Sequence, residues 1–168
     1  EDNLALFSLL ISEIIRIDFD RLSVVLHKVR SRNIPLETYL RGEETEDDLG
    51  EENAKRIADA LALIDLLRRE YTSKSVGELL HTFLEKTGYL KYLSTRENEG
   101  SVLDGEKIVS IANFFDRVRG FAELQLDSST QRFMEYLTIL LEMGDDIRDE
   151  IDDTSYDAVR VMTLHKAK

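Results

Sequence analysis

A threonine, a histidine and two lysines crowd the end of this 168-residue chain, as Thr163, His165, Lys166 and Lys168. They follow Val159, Val161 and Met162, apolar or β-branched residues that favour a short, partly buried strand. Hydrogen-bond donors placed just past the end of a strand suit an anionic ligand. Other groups with chemical potential are less organised. Glu43, Glu44, Glu46, Asp47, Asp48, Glu51 and Glu52 crowd residues 42–52. Hard cations take carboxylate oxygens, but this spacing lacks the fixed glycine and closing glutamate of an EF-hand loop, and a solvated loop is expected. His81 has no second histidine at i+4 and reads as a surface or boundary side chain. The sequence contains no Gly-Lys-Ser/Thr phosphate loop, no His-Glu-x-x-His and no cysteine. The chain by itself is therefore expected to be catalytically silent and to bind no cofactor or metal.

Helices must position whatever these groups do. Residues 4–17 carry Leu4, Leu6, Phe7, Leu10, Ile11, Ile14, Ile15 and Ile17 almost all round a helix, with Asp2 or Asn3 as its N-cap. Asp18 or Asp20 can cap a second helix, in which Leu22, Val25, Leu26 and Val29 share one face until Asn33 and Pro35 end it. Pro35 suits the first turn of a short helix through Leu40. Ile57, Leu61, Ile64, Leu67 and Tyr71 form the stripe of a longer helix within residues 54–71. Ser75 and Glu78 make a capping box, and Gly88 closes the helix that it opens. Residues 94–105 read as a polar loop, and a helix marked by Ile108, Ile111, Phe115, Val118 and Phe121 follows to about Leu126. Ser128 with Gln131 opens a last helix carrying Phe133, Leu137 and Leu140, closed by Gly144. Asp145, Asp146, Asp149, Glu150, Asp152 and Asp153 then read as a solvated linker.

The expected fold class is all-α, with about six to seven helices and a short C-terminal strand segment. A hydrophobic content of 42% is enough for one sizeable core. The absence of cysteine removes disulfides and fits a reducing, cytoplasmic setting. With no apolar run of about 18 residues, no membrane span or membrane partner is expected. Glu1 rather than Met at the start, with no basic segment ahead of an apolar one, suggests an excised piece without a signal peptide. The net charge of −12 opposes strong independent binding to nucleic acid, whose phosphates draw affinity from clustered Lys and Arg.

The terminal Ala-Val-Arg-Val-Met-Thr-Leu-His-Lys-Ala-Lys, residues 158–168, resembles motif V of the UvrD/Rep/PcrA-like superfamily 1 DNA helicases. Asp2 to Leu6 with Leu9 and Leu10 is similar to the start of that family's 2B subdomain. Leu79, Leu80 and the Thr87-Gly88-Tyr89-Leu90 turn resemble its middle, and Phe133 to Leu137 resembles its helix before motif V. The resemblance implies a helical 2B-like subdomain over residues 1–155 and the start of the motif V strand and loop of the 2A motor domain over residues 156–168.

For the parent protein, the resemblance implies an ATP-dependent 3′–5′ DNA helicase, or a helicase–nuclease, acting in DNA repair, replication or recombination. ATP and Mg²⁺ would be bound elsewhere in that protein. Its partner would be DNA, as single strand and duplex junction, and possible protein partners follow from the acidic helical surface. Thr163 and His165 match positions that hydrogen-bond the backbone of the tracked strand, and Lys168 matches the motif lysine. Where many relatives carry Gly-Ile-Gly against duplex DNA, this chain has Arg16-Ile17-Asp18, whose carboxylate would repel phosphate. Arg16, with Arg21, is the DNA-binding candidate there, and a capped helix junction is the alternative reading of that turn. An acidic helical protein-interaction domain is the alternative.

Overall fold

A computed structural model describes residues 3–124 and 129–143, and these residues are helical and joined by short turns. The first five helices are α1 (Asn3–Ile11), α2 (Phe19–Arg32), α3 (Leu36–Leu40), α4 (Glu44–Leu49) and α5 (Glu51–Glu70). After them come α6 (Val76–Thr87), α7 (Tyr89–Asn98), α8 (Val102–Leu124) and α9 (Thr130–Glu142). The all-α class expected from the sequence is observed. The expected strand at residues 159–162, the acidic linker and Gly144 lie outside the described residues.

Helices α1 to α5 enclose one apolar cluster. Phe7 and Leu10 of α1 meet Leu22, Val25 and Val29 of α2, Leu36 and Leu40 of α3, Leu49 of α4, and Ile57 and Leu61 of α5. Removing so many aliphatic side chains from water is the main force holding these helices together. The α2 stripe is buried as its spacing predicts, and Asn33 ends the helix in a left-handed conformation at φ 52°. A second cluster forms around Phe133 of α9, which meets Val118 and Phe121 of α8, with Val76 packed against it. The Phe133 ring contacts Phe114, Phe121 and Tyr136 at centroid distances of 5.9, 5.3 and 6.1 Å.

Several boundaries differ from the sequence reading. The first helix stops at Ile11 because Ser12 Oγ donates to the Leu9 carbonyl at 2.6 Å and accepts from Ile14 N–H at 3.3 Å, offering the backbone an alternative to the next turn. Asn3 does not cap its own helix. Its Oδ1 accepts instead from Leu36 N–H at 2.9 Å, serving the first turn of α3. The acidic segment 42–52 is helical rather than a loop, because it is tied down at both ends and in its middle. Thr45 and Leu49 are buried, Arg32 bonds Glu44 at 2.8 Å, and Lys28 and the Tyr39 hydroxyl both donate to Asp48.

The polar stretch 94–105 also folds, into the end of α7 and the start of α8. Buried Asp104 organises it, accepting from Arg96 Nε at 2.8 Å and Ser101 Oγ at 2.5 Å. Tyr71, expected on the α5 stripe, is exposed beyond the helix end. The cap of α9 is Ser129, one residue later than expected, accepting from Arg132 N–H at 3.4 Å. The Ser75–Glu78 capping box and the left-handed Gly88 at φ 65° are both present. No helix among the described residues is long and apolar enough to cross a membrane.

Candidate nucleic-acid interface at the first helix junction

Of the four residues assigned to DNA from the sequence, Arg16 is described, whereas Thr163, His165 and Lys168 lie outside the described residues. Arg16 sits in the turn between α1 and α2, where the chain must reverse and still deliver Ile17 to the core. Ile17 is 4% exposed, and its N–H reaches the Leu10 carbonyl at 2.9 Å. To make that turn Arg16 adopts φ 63°, a left-handed conformation that glycine enters most easily. Two residues on, Asp18 at φ −59° accepts from Arg21 N–H at 2.9 Å through its carboxylate and caps α2.

The side chain of Arg16 is also committed. Its guanidinium lies 3.7 Å from the centroid of the Tyr92 ring on α7, and its Nε donates to the Glu13 carbonyl at 2.7 Å. Arg56 of α5 donates to the Arg16 carbonyl at 3.1 Å and to Glu52 at 2.6 Å. Arg21, the neighbouring cation, donates to the Leu49 carbonyl at 3.0 Å, so it stabilises the end of α4. Arg96 reaches the Tyr92 ring from 5.7 Å, and Tyr89 stacks on Tyr92 at 6.3 Å.

Beside the turn is a groove of about 480 Å³ with Ile14, Ile15, Leu63 and Leu66 in its lining and Arg56 and Lys86 among its polar residues. Arg16, Arg56, Lys86 and Arg96 are exposed. These cations share the edge with Glu13, Glu52, Asp59 and Asp104, so an anion would be drawn by local guanidinium donors rather than by net positive charge. The edge lacks a nucleophile–base pair. Among the described residues, no group of three or more His, Asp or Glu side chains is placed to hold a metal ion.

Sequence reasoning missed Tyr89, Tyr92, Glu13 and Lys107. The Lys107 ammonium donates to both Glu13 oxygens at 2.8 and 2.6 Å, and the Tyr89 hydroxyl donates to Glu13 at 3.3 Å. Hydrogen bonds from Lys107 to Glu13 and Asp104 raise the lysine pKa. Asp104 is held below the ordinary carboxylate range, first by Ser101 and then by Arg96, against the opposing effect of its burial. No sequence spacing signals these partners, since Glu13 and Lys107 are far apart along the chain.

The fold is an all-α assembly whose first helix junction carries cations paired with carboxylates. Over 114 residues, 67% of its length, the chain is 26% identical to one of the subunits of an ATP-dependent helicase/nuclease from Limosilactobacillus fermentum. The matched portion spans 8% of that protein's length. No family model matches the chain, and no solved structure matches it.

Proposed function

We propose that the chain is the helical 2B subdomain of a UvrD-like, ATP-dependent DNA helicase, over residues 1–155, followed at 156–168 by the start of motif V. The observation that carries this reading is the sequence motif of residues 158–168, ending Met162-Thr163-Leu164-His165-Lys166-Ala167-Lys168. The similarity to a helicase/nuclease protein supports it and favours the helicase–nuclease branch. In this reading ATP and Mg²⁺ bind elsewhere in the parent protein. Thr163, His165 and Lys168 meet the backbone of the tracked strand, and translocation runs 3′ to 5′. The helical body faces duplex DNA or protein partners and regulates unwinding.

The isolated chain should bind forked DNA weakly, because its charge of −12 opposes phosphate while a few donors attract it. Fluorescence anisotropy at low salt tests the assignment. Loss of one phosphate hydrogen bond, about 1 kcal/mol, weakens binding about fivefold. Thr163→Ala and His165→Ala should each show such a loss. Affinity unchanged by both would remove the strand-contact assignment and favour an acidic protein-interaction domain.

A further inference from the structure

We propose that residues 12–17 form an ionic clasp between two helical bodies, α1–α5 and α6–α9, and that the clasp opens when charge is screened. The bodies have separate apolar clusters, one centred on α1–α5 and one on Phe133. Alongside the α5–α6 packing and its connecting turn, polar contacts among the described residues join them from the α1–α2 turn. Glu13 takes Lys107 of α8 and Tyr89 of α7, and Arg16 covers Tyr92 of α7.

The two ends of this clasp differ in how firmly they are held. On the α7–α8 side Lys107 is anchored at 3.1 Å by Asp104, a carboxylate 5% exposed and fixed by Arg96 and Ser101. On the other side Glu13 projects from a turn, and its side chain is 41% exposed. Lys107 is equally open at 39%, so the ends differ in anchoring rather than in access to salt, and ion pairs of this exposure hold their partners weakly. Separation therefore occurs at Glu13, leaving Lys107 on the Asp104 end. The α5–α6 connection then acts as the pivot, since neither apolar cluster has to be broken for the bodies to move. Phosphates competing for Arg16 and Lys107 would open the same contact.

The chain contains no cysteine, so Ser31→Cys on α2 and Ser110→Cys on α8, both exposed, give a unique pair of spin-label sites. Pulsed dipolar spectroscopy on the full chain at low salt should show one narrow distance distribution. It should broaden or shift at about 1 M salt, where the screening length is ~3 Å. Glu13→Gln and Lys107→Gln should broaden it already at low salt, with helical circular dichroism unchanged, while Lys107→Arg should keep it narrow. A distribution that stays the same across the salt range in the unsubstituted chain overturns the clasp, as does one indifferent to Glu13→Gln. The salt titration needs no variant beyond the label sites, so it decides the matter even if a charge substitution fails to fold.

Discussion

The guanidinium of Arg16 lies 3.7 Å from the ring centroid of Tyr92, although the two residues belong to different helical bodies. This contact offsets part of the cost of holding a non-glycine residue at φ 63°. A left-handed conformation costs roughly 1–2 kcal/mol outside glycine, and an exposed cation–π contact returns about 0.5–1 kcal/mol.

The two effects separate by substitution. Arg16→Ala keeps the unfavourable backbone and loses the ring contact, and should lower stability by about 1 kcal/mol. Arg16→Gly loses the same contact but relieves the backbone, so its stability should stay within about 0.5 kcal/mol of the original. Urea unfolding of both variants checks this order. A glycine variant less stable than the alanine variant would contradict it.

Glu37 joins α3 to α5 through charge-assisted hydrogen bonds. Its two oxygens accept from Arg68 at 2.7 and 2.8 Å, and Arg41 adds a bond at 2.8 Å. Arg68, then Arg41, hold the carboxyl down to about 2 from its ordinary 4.5, against desolvation. Because the folded value is depressed, the stabilisation is complete above about 4.5 and is lost as pH falls toward 2. Glu37→Gln should cost about 2 kcal/mol at neutral pH. The stability difference between the two proteins should shrink as acid is added across that window, as read from urea midpoints. A pH-independent difference would show that the carboxylate charge is not what matters.

Phe133 is the buried anchor of α9 at 2% exposure, and it fills the space between Phe114, Phe121 and Tyr136. Phe133→Ala should cost about 3–4 kcal/mol, because the cavity removes both transfer energy and ring contacts. Amide hydrogen exchange should accelerate first in α9 and the end of α8, while α2 and α5 remain protected by their own cluster. Uniform acceleration through α2 would show that the clusters unfold as one.

At the start of α6, Ser75 and Glu78 satisfy each other's backbone N–H groups, at 2.8 Å from Ser75 N–H and 3.4 Å from Glu78 N–H. Ser75→Ala should lower stability by about 1 kcal/mol. Ser75→Asp, which keeps an acceptor and favours the helix N-terminus, should recover most of it. Thermal melts of the two variants distinguish cap loss from a general effect of changing this turn.

What the sequence revealed follows from the range of the interactions. The α2 stripe, the Asn33 and Gly88 helix ends and the Ser75 cap depend on neighbours within one or two turns, and periodicity exposes them. The helices in 42–52 and 94–105 were hidden because their charges looked solvated. The first stretch takes its partners from α2, Lys28 and Arg32, and the second pairs Asp104 with Arg96 and Ser101 across its own turn and with Lys107 just beyond it. At the candidate interface, the junction before α2 was legible from Asp18 as the helix cap. The engagement of Arg16 with Tyr92, and the bridge from Glu13 to Lys107, depend on how the two bodies meet, which no local pattern encodes.

The most direct measurement is ATP-dependent strand separation on a 3′-tailed fork by the product of the full reading frame that contains this chain. The helicase assignment predicts unwinding supported by DNA-stimulated ATP hydrolysis, with His165→Ala slowing unwinding about fivefold or more if its phosphate contact is used in each step. A full product that neither hydrolyses ATP in response to DNA nor separates the strands would contradict that assignment, leaving an acidic helical interaction domain as the reading to pursue.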